Sequence, residues 1–315
     1  MKDGNVKNGK IIYASNAMKN VLETAERVAK AGREKPGDMD VMLYGETGTG
    51  KELVANYIHE HSGRHGKIVT VNCAAIQDNL LESDLFGHEK GSFTGSNAKR
   101  IGKLQEADGG TLFLDEIYDI PMVAQEMLLR PLDGYSFQRV GSNENIEPEF
   151  KLVVATNKDL KEAVKNDRIR NDFYHRLPDF TITIPPLRER KEDIIVLIEY
   201  FLEELNRRNG YKEIPRESME ALLAYEWPGN VRELKKKIGG AYLMADDGVL
   251  RFDSLENPEA RNVKAEYHRL EETEMSAINE ALHENYYNQR RAAESLGISY
   301  SALRRRIAKY GISIK

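Results

Sequence analysis

The stretch GETGTGKE, residues 45–52, offers the clearest chemistry in this sequence. An apolar run, VMLY (41–44), leads into Gly45-x-x-x-x-Gly50-Lys51, and helix-forming residues follow from Glu52. Glycines let backbone N–H groups turn inward around a phosphate, and a helix N-terminus adds a favourable field. Gly45, Glu46, Thr47, Gly48, Thr49, Gly50, Lys51 and Glu52 are the candidate phosphate-binding residues, with Lys51 reaching the β- and γ-phosphates. Glu52 stands where such a loop usually has Ser or Thr, which removes the hydroxyl that would ligate Mg2+ directly. Further along, GGTLFLDEI ends an apolar run in Asp115 and Glu116. At a strand end, Asp115 would hold Mg2+ through water and Glu116 would polarise an attacking water. Taken singly, the first stretch could be an idle glycine turn and the second a pair of solvated acids. Together they point to phosphoryl chemistry.

Two further stretches have a chemical reading. GHEKGSFTGS (87–96) has no helical or strand period and reads as a loop, with Gly91 and Gly95 bracketing Ser92-Phe93-Thr94. Phe93 is either an anchor tucked under the loop or a presented contact. NQRRAAESLGISYSALRRRIAKYGI (288–312) has a helix-turn-helix pattern. Ala292, Ala293 and Leu296 form one apolar face, Gly297-Ile298-Ser299 makes the turn, and Leu303 and Ile307 face inward four residues apart. Tyr300, Ser301, Arg304 and Arg305 then lie on the outer face, and with Arg290 and Ser299 they are the candidates for contact with double-stranded DNA.

These residues need elements to hold them. Short apolar runs at 41–44, 68–72, 111–115, 151–156 and 180–184 alternate with helical stretches, which predicts an α/β layer with a largely parallel, buried sheet. A helix is predicted over 16–31 and a turn at 33–38. Pro131 is expected to stop the helix after the acidic strand near Arg130. After residue 188 the pattern becomes all-helical, with three helices up to about residue 255. In WPGNVREL, Trp227-Pro228-Gly229 makes a turn, and Asn230 with Glu233 resembles a capping box opening the third helix. Arg232 then sits in a first turn, where the helix dipole disfavours a cation, a hint that it faces an external anion. The division is 1–188 (α/β), 189–255 (helical), 256–265 (linker) and 266–315 (helix-turn-helix).

Bulk properties fit this layout. Of the 315 residues, 40% are hydrophobic, enough for a sizeable core. Net charge is −5, yet residues 286–315 hold seven Lys/Arg against one Glu, so a basic end follows an acidic body, and that end suits an anionic partner. The single cysteine, Cys73, excludes an internal disulfide and is expected to be buried. No apolar run is long enough for a membrane span and the start has no signal-peptide pattern, so no membrane partner and a cytoplasmic location are expected.

The pieces GETGTGKE, VNCAAI, ESDLFGHEKGSFTGS, ADGGTLFLDEI, PPLRERKEDI and WPGNVREL resemble, in order, the central AAA+ ATPase domain of bacterial enhancer-binding proteins, the NtrC-type activators of sigma-54 RNA polymerase. The end of the chain resembles the Fis-type DNA-binding domain of the same family. The resemblance implies a P-loop ATPase with a parallel sheet, a small all-α lid and a C-terminal helix-turn-helix domain. It implies ATP and Mg2+, dimers assembling into a hexameric ring, and ATP held between subunits. A Glu after the phosphate-loop lysine is the family's own pattern, as Glu52 is here. Arg170 and Arg176 match arginine fingers that a neighbouring subunit supplies, Asn72 a switch residue restraining the glutamate, Asn157 a γ-phosphate sensor, and Arg232 a second sensor. Asn72 and Asn157 could equally cap local backbone, and the two arginines could be surface ion pairs. The family's G-A-F-T-G-A loop, here Gly91-Ser92-Phe93-Thr94-Gly95-Ser96, touches sigma-54, and helix 266–284 would pair two copies on a palindromic site. The function implied is ATP-driven activation of sigma-54 polymerase from an upstream site. The alternative is a DNA-binding regulator whose ATPase fold serves oligomerisation only.

Overall fold

The computed structural model describes residues 11–31, 39–75, 81–92, 98–252, 275–276, 278–285, 287–296, 300, 303–304, 307 and 312. They divide into two units, 1–253 and 254–315. Along the first unit run α1 (Asn16–Ala31), β1 (Val41–Tyr44), α2 (Lys51–Ser62), β2 (Ile68–Asn72), α3 (Leu81–Phe86), β3 (Gly87–His88), β4 (Arg100–Ile101), α4 (Lys103–Glu106), β5 (Thr111–Asp115), α5 (Met122–Leu132), β6 (Lys151–Thr156), α6 (Leu160–Lys165), α7 (Asn171–Tyr174) and β7 (Thr181–Thr183). The lid follows as α8 (Lys191–Asn209), α9 (Arg216–Ala224) and α10 (Asn230–Met244).

The five apolar runs form one parallel sheet, ordered β2-β5-β6-β1-β7. Parallel strands need crossovers, and the helices supplying them cover both faces. Val41, Leu43, Phe113, Val153, Ala155 and Ile182 point to the face under α1 and α2. Leu112, Leu114, Leu152 and Val154 point to the other, with Val69 and Val71, against Leu128 of α5 and Phe173 of α7. β6 is buried along its whole length, as a central strand must be. Its place between β5 and β1 separates the acidic strand from the phosphate-loop strand by one strand. The last run is shorter than the pattern predicts, because only 181–183 pair with β1.

Pro131 does not stop α5 at Arg130; the helix continues to Leu132 with Pro131 buried in its last turn. So near a C-terminus a proline removes one ladder bond only, and the Asp133 N–H closes the end on the carbonyls of Leu129 and Arg130. Cys73 is buried as expected, directly after β2. The turn at 33–38, the linker 256–265 and residues 266–274 lie outside the described residues. Among the described residues no helix is long and apolar enough to cross a membrane.

Candidate active site

β1, β5 and β6 deliver their carboxyl ends to one edge of the sheet, the edge where open α/β folds bind ligands. The loop after β1 turns through two left-handed glycines, Gly48 (φ 82°) and Gly50 (φ 104°), before α2 begins at Lys51. A Cβ at Gly48 would lie 2.4 Å from the Gly229 carbonyl oxygen, so this glycine is required by contact as well as by dihedral. The Lys51 ammonium donates to the carbonyls of Gly45 (2.8 Å) and Glu46 (3.2 Å), and Thr49 Oγ1 donates to Glu46 O (2.8 Å). Glu52 is exposed in the first turn of α2. Burial lowers the Lys51 pKa, the Asp115 and Glu116 carboxylates oppose that, and Arg232 adds to it.

Asp115 closes β5, and its Oδ1 accepts from the Glu116 N–H at 3.0 Å. Glu116 adopts a left-handed backbone (φ 55°), uncommon for a residue with a Cβ. Such strain is held in place by the surrounding fold and collects at functional sites. Asn157 follows β6, and its Nδ2 donates to Thr47 Oγ1 at 3.0 Å, tying the strand between the two motifs to the phosphate loop. Asn72 lies opposite Asp115 in the β2–β5 register, but its Oδ1 accepts from the Ala74 N–H at 3.0 Å, the local capping role.

The donor set suits a nucleoside triphosphate with a divalent cation. Gly48 leaves no room for a side chain, a cationic amine heads α2, and two carboxylates stand at the end of β5. Mg2+ usually takes one or two carboxylates plus phosphate oxygens and water rather than an all-protein cage. Among the described residues, no cluster of three or more metal-binding side chains occurs.

The lid grips the phosphate loop residue by residue. Arg188 forks onto Glu46 (2.9 and 2.6 Å), Asn230 Nδ2 donates to Glu46 Oε2 (3.0 Å) and Thr47 O (3.1 Å), the Val231 N–H to Gly48 O (3.1 Å), and Arg190 Nη2 to Thr49 O (2.8 Å). The capping-box reading of Asn230 is therefore corrected. Gly229 is the cap residue, and Glu233 reaches back to its N–H at 2.9 Å. Asn230 is wholly buried, left-handed (φ 50°), and accepts from the Leu187 N–H at 2.7 Å. Its carboxamide is spent on the lid–loop joint, not on α10. Arg232 is exposed in the first turn of α10, close to Gly48. Arg188 and Arg190 were not singled out from sequence. The available signal was Glu46 itself, an acid inside a phosphate loop that calls for a cation.

Arg170 and Arg176 are not brought to this site within one chain. Arg170 pairs with Asp172 (2.8 Å) and Glu126 (3.5 Å), and Arg176 with Asp133 (3.0 Å). The base of the 87–101 loop is described: β3 pairs antiparallel with β4, and the buried Arg139 holds Glu89 (3.1 Å) and Glu144 (2.7 Å). Gly91 is left-handed (φ 82°), and no atom of the described residues lies within 4 Å of a Cβ added there. Phe93, Thr94 and Gly95 lie outside the described residues, so the choice between anchor and contact is not decided there.

In the second unit, Ala292, Ala293, Leu303 and Ile307 form a buried cluster with Ile278, Ala281 and Leu282, and Leu296 packs against it. This is the apolar face the spacing predicts. Arg290 lies with its guanidinium 5.7 Å from the Tyr300 ring centre, and Tyr300 and Arg304 are exposed. Ser299, Ser301 and Arg305 fall outside the described residues.

A parallel sheet with a glycine phosphate loop after one strand, acids ending another and a helical lid over the loop defines the AAA+ class of P-loop proteins. Within that class, the chain belongs to the sigma-54 interaction domain family, which it matches over residues 11–183. Residues 188–272 match the AAA+ ATPase lid domain, and 269–310 the Fis family of bacterial regulatory proteins. It is 43% identical over 314 residues to the formate hydrogenlyase transcriptional activator of Salmonella typhimurium, covering 96% of this chain and 44% of that protein. It is 41% identical over 307 residues to the transcriptional regulatory protein ZraR of Salmonella typhi, covering 95% of this chain and 68% of ZraR. Among solved structures, NtrX from Brucella abortus in complex with ATP superposes with a TM-score of 0.70 at 32% identity, covering 97% of this chain and 70% of NtrX. The chain thus spans less than half of the formate hydrogenlyase activator's length.

Proposed function

We propose that the chain is an ATP-hydrolysing activator of sigma-54 RNA polymerase that binds DNA upstream of its promoter. The observation that carries this is the buried Lys51 ammonium held on the Gly45 and Glu46 carbonyls of a lid-held phosphate loop, with Asp115 and Glu116 ending a strand of the same sheet. Lys51 and the loop N–H groups bind the triphosphate, Asp115 positions the Mg2+ site through water, and Glu116 polarises the attacking water. Mg2+ supplies charge neutralisation on the phosphate oxygens when bound. Asn157 and Arg232 bear on the triphosphate from β6 and the lid, and Asn72 restrains Glu116 when its amide leaves Ala74. Arg170 and Arg176 complete a neighbour's site in a hexameric ring built from dimers, stabilising charge on the transferring phosphoryl. The tip Gly91, Phe93, Thr94 and Gly95 contacts sigma-54, its glycines suiting a segment that must move. Arg290, Ser299, Tyr300, Ser301, Arg304 and Arg305 meet the DNA. The division at 188, the linker at 256–265 and a cytoplasmic location belong to the same reading.

The test is ATP turnover and promoter opening, measured together with sigma-54 polymerase on promoter DNA. Lys51→Ala abolishes both, and Thr94→Ala keeps turnover while abolishing opening. Turnover by Lys51→Ala at the wild-type rate, or no response of the promoter to the wild type, overturns the reading.

A further inference from the structure

The phosphate loop carries a negative charge of its own. Glu46 follows Gly45 directly, within reach of wherever the loop holds phosphate, and a free carboxylate there would repel the ligand. In the structure both carboxylate oxygens are taken. Arg188 Nη1 donates to Oε2 at 2.9 Å and Nη2 to Oε1 at 2.6 Å, the paired fork that suits a guanidinium and a carboxylate. Asn230 Nδ2 adds a third bond at 3.0 Å. Held chiefly by the Arg188 hydrogen bond, the carboxyl titrates below the usual range and stays ionised, so the charge must be balanced rather than removed. The neighbouring lid donors go to backbone: Asn230 to Thr47 O, Val231 to Gly48 O and Arg190 to Thr49 O. Those bonds fix the course of the loop. Among the described residues, Arg188 alone brings a full charge onto the Glu46 carboxylate. Arg190 is buried and engaged with Thr49 and Asp193, so it is not free to stand in.

We propose that Arg188 is a positioning residue for nucleotide binding, which turns the Glu46 carboxylate toward the lid and neutralises it so that the Lys51 charge meets a triphosphate without a free Glu46 carboxylate opposing it. The proposal rests on the nucleotide reading given above. Arg188 touches no reacting atom and acts through Glu46, so its signature is in affinity rather than in turnover.

The test uses the full chain, with ADP binding read by titration and ATP turnover read as KM and kcat. Arg188→Ala raises the ADP Kd and the KM for ATP about tenfold, equivalent to about 1.4 kcal/mol, with kcat within about twofold. The double variant Glu46→Gln/Arg188→Ala recovers most of that affinity, because no charge is left to balance. Arg188→Lys falls between, as a point charge without the fork, and keeps the test open if Arg188→Ala fails to fold. Unchanged Kd and KM in Arg188→Ala, or a double variant as weak as Arg188→Ala, overturns the proposal and leaves Arg188 a brace for the lid. A wild-type protein that binds neither ADP nor ATP sinks the nucleotide reading instead.

Discussion

Asp40 stands just ahead of β1, and burial pushes its carboxyl up from 3.8 to about 6, against the Leu152 N–H bond and the nearby Lys151 and Arg64 charges. The folded state then holds this proton more tightly than the unfolded chain does. Its contribution is fully present below about pH 4 and is lost as pH rises through about 6. Asp40→Asn keeps an acceptor for the Leu152 N–H at 2.8 Å and removes the charge. Chemical denaturation across pH 4–7 will show the wild type losing on the order of 3 kcal/mol that the variant retains. Identical slopes for the two proteins would refute the assignment. At the same scale, the phosphate-loop glycines and Lys51 were legible in sequence because their types are dictated by backbone geometry and charge. The left-handed φ of Glu116, and of Trp227 and Asn230 in the lid turn, was not, because ordinary residues give no sign that the fold holds them strained.

At the scale of elements, α10 carries Gly239 and Gly240 mid-helix, with no atom of the described residues within 4 Å of a Cβ added to either and no positive φ. Glycine there sacrifices unfolded-chain entropy for no visible packing return. Gly240→Ala should stabilise the protein by about 0.5–1 kcal/mol, seen as a higher midpoint in thermal melts. A lower midpoint would mean the exposed face of α10 needs the bare backbone. The five sheet strands, α1, α2, α5 and the three lid helices are readable from apolar spacing, whereas short elements such as β3, inside a stretch that reads as a loop, are not. Ends were less so: α5 runs past Arg130 with Pro131 inside it, since a proline in a last turn forfeits a single bond. The start of α10 was misjudged for a different reason. Asn230 has the side chain of a good cap, yet Glu46, Thr47 and Leu187, all distant in sequence, compete for it and win.

For the whole molecule, the two units have separate cores, with Trp227, Leu234 and Ile238 wholly buried in the first and Ala292, Leu303 and Ile307 clustered in the second. A chain ending at residue 253 should therefore keep ATP binding and lose DNA binding. In the full chain, Arg304→Ala should weaken DNA binding and lower the slope of log affinity against log salt by about one. Loss of ATP binding in the shortened chain would show that the units are not independent, and an unchanged salt slope would move the phosphate contact away from Arg304.

The amino-acid order alone determined the α/β class, the phosphate loop, the acid pair and the helix-turn-helix core, because each is written in residues close together in the chain. Only tertiary structure decided that β6 lies between β5 and β1, that Asn157 meets Thr47, and that Arg188 and Asn230 close on Glu46. The Arg188 and Asn230 contacts join residues 142 and 184 positions apart, and no local pattern specifies which of many arginines and asparagines a buried or charged partner will select.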